Sequence, residues 1–244
     1  MSGELLLDLQ DLCIRTPDRS LVDGVGFQVR AGEIVALVGA SGAGKSVSAR
    51  AAMGVLDVDP GLARGSLRYP AVSPNDLFAG VAGGGASARR RLLRETAQYR
   101  GGYLAYSPQS ASSALNPGRT IGRQLEIAIA RRVKRPADVP AAVVSVLEEV
   151  GLPPRAAHAL PSELSGGMAQ RAALAIAIAP DPRILIADEP ETGLDPVLRR
   201  VVTELMLDVA RGRGVALLLI SHTADTVKRI ADQVVRIGEG GARV

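Results

Sequence analysis

Three groups of residues carry recognisable chemistry by their types and spacing. The first is Gly39-Ala40-Ser41-Gly42-Ala43-Gly44-Lys45-Ser46, which has the eight-residue spacing of a phosphate loop. Glycine lets the backbone turn tightly enough for successive N–H groups to face one anion, and the start of a following helix adds a favourable field. Lys45 is placed to bridge terminal phosphates. The Ser46 hydroxyl suits Mg²⁺, a hard cation that prefers oxygen and keeps several waters. The loop points to a nucleoside triphosphate, but alone it does not separate kinases, GTPases, helicases and transport motors.

The second group ends an apolar run, Arg183-Ile184-Leu185-Ile186-Ala187-Asp188-Glu189. Adjacent strand residues point to opposite sides, so the two carboxylates are expected to do different work. Asp188 would reach Mg²⁺, directly or through water, and Glu189 would act on the attacking water as its general base or positioning group. The third group, Leu164-Ser165-Gly166-Gly167-Met168-Ala169-Gln170-Arg171, leads into an uninterrupted run to Ala179 that Pro180-Asp181-Pro182 breaks. Ser165, Gly166 and Gly167 therefore open a helix, with N–H groups and a hydroxyl available to a second anion. A chain that already has Lys45 for its own phosphates has no need of that second site. The economical explanation is that it binds the nucleotide of a partner subunit.

Elements that could position these groups are readable around them. Glu33 to Val38, Ile184 to Ala187 and Val215 to Ile220 are short apolar runs, as strands covered on both faces should be, and they predict a mostly parallel core sheet. Glu4 to Leu9 and Phe27 to Arg30 flank the turn-rich Thr16-Pro17-Asp18-Arg19-Ser20 and predict an N-terminal antiparallel β edge. From about Gln109 to Glu163 the pattern is helical, with Ile121 to Arg132 and Val139 to Val150 separated at Arg135-Pro136. The expected architecture is α/β: a P-loop core, residues 1–108 and 164–244, with an inserted helical subdomain at about 109–163. Gly83-Gly84-Gly85 reads as a flexible surface loop.

Composition bounds the rest. With 244 residues and 47% hydrophobic content the chain can bury a large core, built from Val, Leu, Ile and Ala because only two Phe, four Tyr and no Trp are present. Twenty-nine Lys and Arg against 25 Asp and Glu leave the chain only mildly basic, and Arg89-Arg90-Arg91 and Arg131-Arg132-Val133-Lys134-Arg135 read as solvated faces. Without broad basic surfaces interleaved with aromatics, nucleic acid is not an expected partner. The single Cys13 excludes an internal disulfide and a cysteine-clustered metal site, and reads as small buried packing. The first ten residues lack signal-peptide character, and no stretch approaches the roughly 20 apolar residues of a membrane span. A membrane role would require docking on another subunit.

On these motifs the chain resembles the ATP-binding cassette (ABC) ATPases over nearly all its length. The resemblance implies ATP and Mg²⁺ as ligands and a head-to-tail dimer in which Ser165, Gly166 and Gly167 cap the γ-phosphate held by the opposite subunit. Gln109, in Tyr106-Ser107-Pro108-Gln109, resembles the family's glutamine loop, which senses Mg²⁺ and the attacking water near the coupling surface. Asp195, in Gly193-Leu194-Asp195, resembles the loop that crosses the dimer interface. His222 resembles the switch histidine on the γ-phosphate, while His158 matches no motif and reads as surface. Leu115-Asn116-Pro117 and Met168 resemble the peptide and nickel uptake branch of importers, and the end at Val244 is closer to its shorter nickel-type subunits.

That resemblance implies a peripheral protein on the cytoplasmic face of the membrane, with a second ATPase subunit in a homo- or heterodimer. Integral-membrane permease subunits and, indirectly, an extracytoplasmic substrate-binding protein would complete the assembly. Three departures stand out. No aromatic is available for adenine stacking in Cys13-Ile14-Arg15-Thr16, leaving Arg15 as a substitute. Glu191 replaces a small hydroxyl residue, and Thr223 follows His222 where an acid is common. The alternative class is a soluble cassette ATPase acting in translation or DNA maintenance, yet neither a second cassette nor a long coiled-coil insertion is visible. A non-hydrolytic binding module is disfavoured by intact Lys45, Asp188, Glu189 and His222.

Overall fold

The computed structural model describes residues 3–110, 114–132, 135–222, 227, 229–238 and 241–243; Val133, Lys134 and Thr223 lie outside them. The chain forms two compact units, residues 1–100 with 216–244, and residues 101–215.

In the first unit, β1 (Leu5–Arg15) pairs antiparallel with β2 (Ser20–Arg30) and β4 (Gly61–Arg68), giving the order β2-β1-β4. The expected antiparallel edge is therefore a three-stranded sheet. Its central strand buries Leu6, Leu7, Leu9, Leu12 and Ile14, and Leu9 stands opposite Phe27 on one side and Leu67 on the other. Such cross-strand apolar pairs fix the register, because a slip of one residue would turn every side chain to the wrong face. The turn between β1 and β2 is closed by Thr16, whose N–H and hydroxyl both donate to the Arg19 carbonyl.

The same unit holds β3 (Ile34–Val38) between β7 (Ala216–Ile220) and β8 (Gln233–Gly238), both parallel to it, with β9 (Gly241–Arg243) antiparallel to β8. Ile34 to Leu37 and all of β7 are buried, as expected of parallel strands covered on both faces. Helix α1 (Lys45–Ala52) follows β3 directly. Helix α2 (Gly85–Glu95) corrects the reading of Gly83-Gly84-Gly85 as a loop: Gly84 is its N-cap and Gly85 its first residue. Ala88 and Leu92, one turn apart, bury one face of α2, and this outweighs the poor helix propensity of its glycine start. Tyr69, fully buried, donates its hydroxyl to the Ala52 carbonyl at 2.7 Å and meets the Tyr99 ring edge-on, anchoring the end of α1.

In the second unit β5 (Leu104–Ser107) and β6 (Ile184–Asp188) run parallel. With them are α3 (Ile121–Ile129), α4 (Val139–Glu149), α5 (Gly166–Ile178) and α6 (Pro196–Arg213). The helices at 109–163 thus share a compact unit with β5, β6 and the two later helices. Arg213, near the end of α6, ties three segments together: Nε donates to Glu149 at 2.7 Å, and Nη1 donates to the Ile178 carbonyl at 2.9 Å and to Asp181 at 3.3 Å. No described helix is long and apolar enough to cross a membrane.

Candidate nucleotide site

In the first unit the phosphate loop occupies the carboxyl edge of β3, where open parallel sheets bind ligands. Two glycines there are dictated by geometry. Gly44, the N-cap of α1, has φ +91°, and a Cβ on it would lie 2.6 Å from the Leu21 carbonyl oxygen and 2.7 Å from Val22 Cγ2. At Gly39 a Cβ would stand 2.2 Å from the Ile237 carbonyl oxygen. Lys45 is buried, and its ammonium folds back to donate to the Gly39 and Ala40 carbonyls at 3.0 Å each. The cation is thereby held over the loop formed by Gly39, Ala40, Ser41, Gly42, Ala43 and Gly44. Ser46 sits in the first turn of α1, half-buried.

His222 belongs to the same edge. Leu37 of β3 pairs with Ile220 of β7, and His222 stands exposed two residues beyond Ile220, just as Gly39 stands two residues beyond Leu37. The unit thus brings the phosphate loop and His222 to adjacent strand ends. Beside the loop lies a cavity of about 590 Å³ lined by Arg19, Leu21, Val22, Asp23, Ala40–Ala43 and Ile237 among others. No aromatic side chain lines it among the described residues. Arg19, not the expected Arg15, is the arginine that reaches it, and the Asp23 carboxylate is already engaged by the Cys13 thiol at 2.9 Å and by Arg64 at 3.1 Å.

The second unit holds the acidic pair. Ser107 of β5 pairs with Ala187 of β6, so Gln109 and Glu189, each two residues further on, emerge at one carboxyl edge. Gln109 Nε2 donates to Glu189 Oε2 at 3.5 Å, the long end of a hydrogen bond, and Thr192 Oγ1 donates to the same oxygen at 3.3 Å. Asp188 is buried and accepts the Tyr106 hydroxyl at 2.8 Å. The two carboxylates do have different surroundings, but strand alternation is not the reason. Strand β6 ends at Asp188, and Glu189 has φ +45°, a left-handed conformation unusual for a non-glycine residue that turns its side chain out of the strand.

Ser165 is the exposed N-cap of α5, accepting from the Met168 N–H, and Gly166 opens that helix. Gly167 is buried; a Cβ there would meet Leu198 of α6 at 2.7 Å, so its lack of a side chain lets the starts of α5 and α6 approach closely. Asp195 caps α6, accepting from the Val197 and Leu198 N–H groups at 3.0 Å. Buried Gln170 donates to the Pro190 carbonyl at 3.0 Å, joining α5 to the turn that follows Glu189. Glu191, in that turn, is buried as well. Tyr106, Thr192, Gln170 and Arg19 are contacts that motif spacing alone did not assign; register along β5 and β6 would have found the first.

The donors present fit Mg²⁺. Among the described residues no group of three or more His, Cys, Asp or Glu could hold a metal by itself. The Ser46 hydroxyl in the first unit, and the buried Asp188 carboxylate and Gln109 amide in the second, are each oxygen donors of the kind that suits a hard cation taking its other ligands from water and phosphate.

Residues 22–192 match the family model described as ABC transporter. The chain belongs to this family and is an ATP-hydrolysing subunit of a transporter. The relatives it matches place it in the peptide and nickel branch. It is 36% identical over 242 residues to the probable D,D-dipeptide transport ATP-binding protein of Escherichia coli (strain K12), spanning 94% of this chain and 68% of that one. It is 36% identical over 225 residues to the nickel import ATP-binding protein of Rhodospirillum rubrum, spanning 90% and 77%. Among solved structures it resembles cbiO1 from Clostridium perfringens, part of the ABC transporter complex cbiONQ, with a TM-score of 0.78 at 20% identity over 99% of this chain and 88% of that one.

Proposed function

We propose that this chain is the nucleotide-binding subunit of an ABC importer of peptides or nickel and other metal complexes, energising transport through ATP-dependent closure of two cassettes. The observation that carries the reading is the pairing of a lysine-bearing phosphate loop at α1 with a second, serine-capped helix start at α5 in one chain. A chain with one site for its own phosphates and another for a partner's is half of a composite site. The named relatives supply the cargo class. Residues 1–108 and 164–244 serve as the core of one ABC ATPase domain and about 109–163 as its helical subdomain.

In this reading Gly39 to Gly44 and Lys45 cradle the phosphates of ATP. Ser46, Asp188 and Gln109 hold Mg²⁺, which when bound neutralises charge on the β- and γ-phosphates. Glu189, held by Gln109 and Thr192, accepts the proton of the attacking water or orients it. His222 contacts the γ-phosphate. Ser165, Gly166 and Gly167 meet the nucleotide of a second ABC subunit, like or unlike, and Asp195 crosses that interface. Closure passes through the region of Gln109 to permease subunits at the cytoplasmic face of the membrane, with an extracytoplasmic binding protein delivering cargo.

The experiment is reconstitution with the permease and binding-protein subunits. ATP turnover stimulated by peptide or by nickel complexes supports the import reading. Turnover indifferent to both, together with stimulation by ribosomes or DNA, would overturn it in favour of a soluble cassette ATPase.

A further inference from the structure

One short segment reaches both members of the acidic pair. Tyr106 and Gln109 are three residues apart, and they donate to Asp188 and Glu189 respectively. Only the second of these contacts belongs to the motif reading. The first follows from register: Tyr106 pairs with Ile186 in the parallel β5–β6 ladder, and Asp188 lies on the same face two residues further along. At about 3.3 Å per residue a side chain must lean roughly 6–7 Å along the strand to reach it. Strand side chains lean in this way, and a tyrosine is long enough to bring a hydroxyl to the carboxylate while its rigid ring leaves few alternative positions.

A carboxylate only 6% exposed needs hydrogen-bond donors to remain oriented, and the phenol supplies one at 2.8 Å on Oδ2. We propose that Tyr106 is a positioning residue for the metal site: its hydroxyl fixes the plane of the Asp188 carboxylate so that Asp188 is preset to receive Mg²⁺ with the nucleotide. This rests on the assignment of Asp188 to Mg²⁺ above. Any displacement of the Tyr106–Gln109 segment then disturbs contacts to both carboxylates together.

The test is the Mg²⁺ requirement of nucleotide binding, read at equilibrium without turnover. Fluorescent ATP is titrated into the chain at fixed, subsaturating concentration over a range of free Mg²⁺. In Tyr106→Phe the half-saturating Mg²⁺ should rise about 2–10-fold, the loss of one hydrogen bond, while binding in EDTA stays at the wild-type level. Asp188→Asn should raise it further, and adding Tyr106→Phe to Asp188→Asn should change nothing more. A Tyr106→Phe variant with lowered thermal stability and an unchanged Mg²⁺ titration would overturn the proposal in favour of a purely structural hydroxyl. An unchanged titration in Asp188→Asn would instead overturn the metal assignment on which the proposal stands. Manganese binding followed by electron paramagnetic resonance gives the same comparison without a nucleotide fluorophore.

Discussion

Replacing Glu189 by Gln isolates the chemistry from the binding. Glutamine has the same length and branching, so the φ of +45° and the side-chain direction are retained, and its carbonyl oxygen can still accept from Thr192 and Gln109. What is lost is the charge and basicity toward water. A positioned general base contributes ~10²–10⁴-fold, so turnover should fall by that factor, about 3–5 kcal/mol of transition-state stabilisation. Glu189→Asp keeps the charge but withdraws the carboxylate by about one methylene from Thr192, and a shift of about 1 Å is expected to cost ~10²-fold. The assay is phosphate release at saturating Mg²⁺-ATP, paired with equilibrium binding of fluorescent ATP. Wild-type turnover in Glu189→Gln would refute the role assigned here. So would equal losses of binding and turnover, because they would mean that the residue organises the nucleotide rather than the water.

Four further outcomes are expected. Arg213→Ala removes a bidentate guanidinium from the part-buried Glu149 and one of the two donors to the Ile178 carbonyl; stability should drop by about 2 kcal/mol, seen as a lower urea midpoint with an unchanged slope. Burial, reinforced by the neighbouring Asp23 carboxylate, pushes the Cys13 thiol above its ordinary range, so a thiol reagent should react much more slowly with folded than with urea-unfolded chain near pH 8. Because the unfolded thiol ionises first, stability should decline as pH rises past about 8.5. Arg19→Ala should weaken ATP binding about 2–5-fold, the worth of an exposed cation–π contact, whereas Arg15→Ala should leave it unchanged.

The sequence and the structure meet most closely where local pattern decides. Strands β3, β6 and β7 are legible because burial on both faces leaves a continuous apolar run, and α5 because Ser165 and the prolines after Ala179 mark its ends. Strand β4 is illegible for the opposite reason: Gly61 and Gly65 interrupt it, Leu62 and Leu67 are its only buried large residues, and its pairing partner β1 is some fifty residues away. Helix α2 hides behind three glycines because what holds it is the burial of Leu92, a tertiary fact. In the site, motif spacing points to Lys45, Asp188 and Glu189, and the family resemblance to Gln109. The turn of Glu189 out of the strand, the reach of Tyr106 and the presence of Arg19 rather than Arg15 at the cavity depend on dihedral, register and turn geometry that spacing does not encode.

The central claim is that Lys45 serves the chain's own nucleotide while Ser165 serves a partner's. Equilibrium binding of fluorescent ATP to dilute chain, measured beside ATP turnover of the assembled transporter, tests it directly. The account predicts that Lys45→Ala loses both, whereas Ser165→Arg keeps binding in the dilute chain and loses turnover in the assembly. Binding lost equally in the two variants, or turnover untouched by Ser165→Arg, would contradict it.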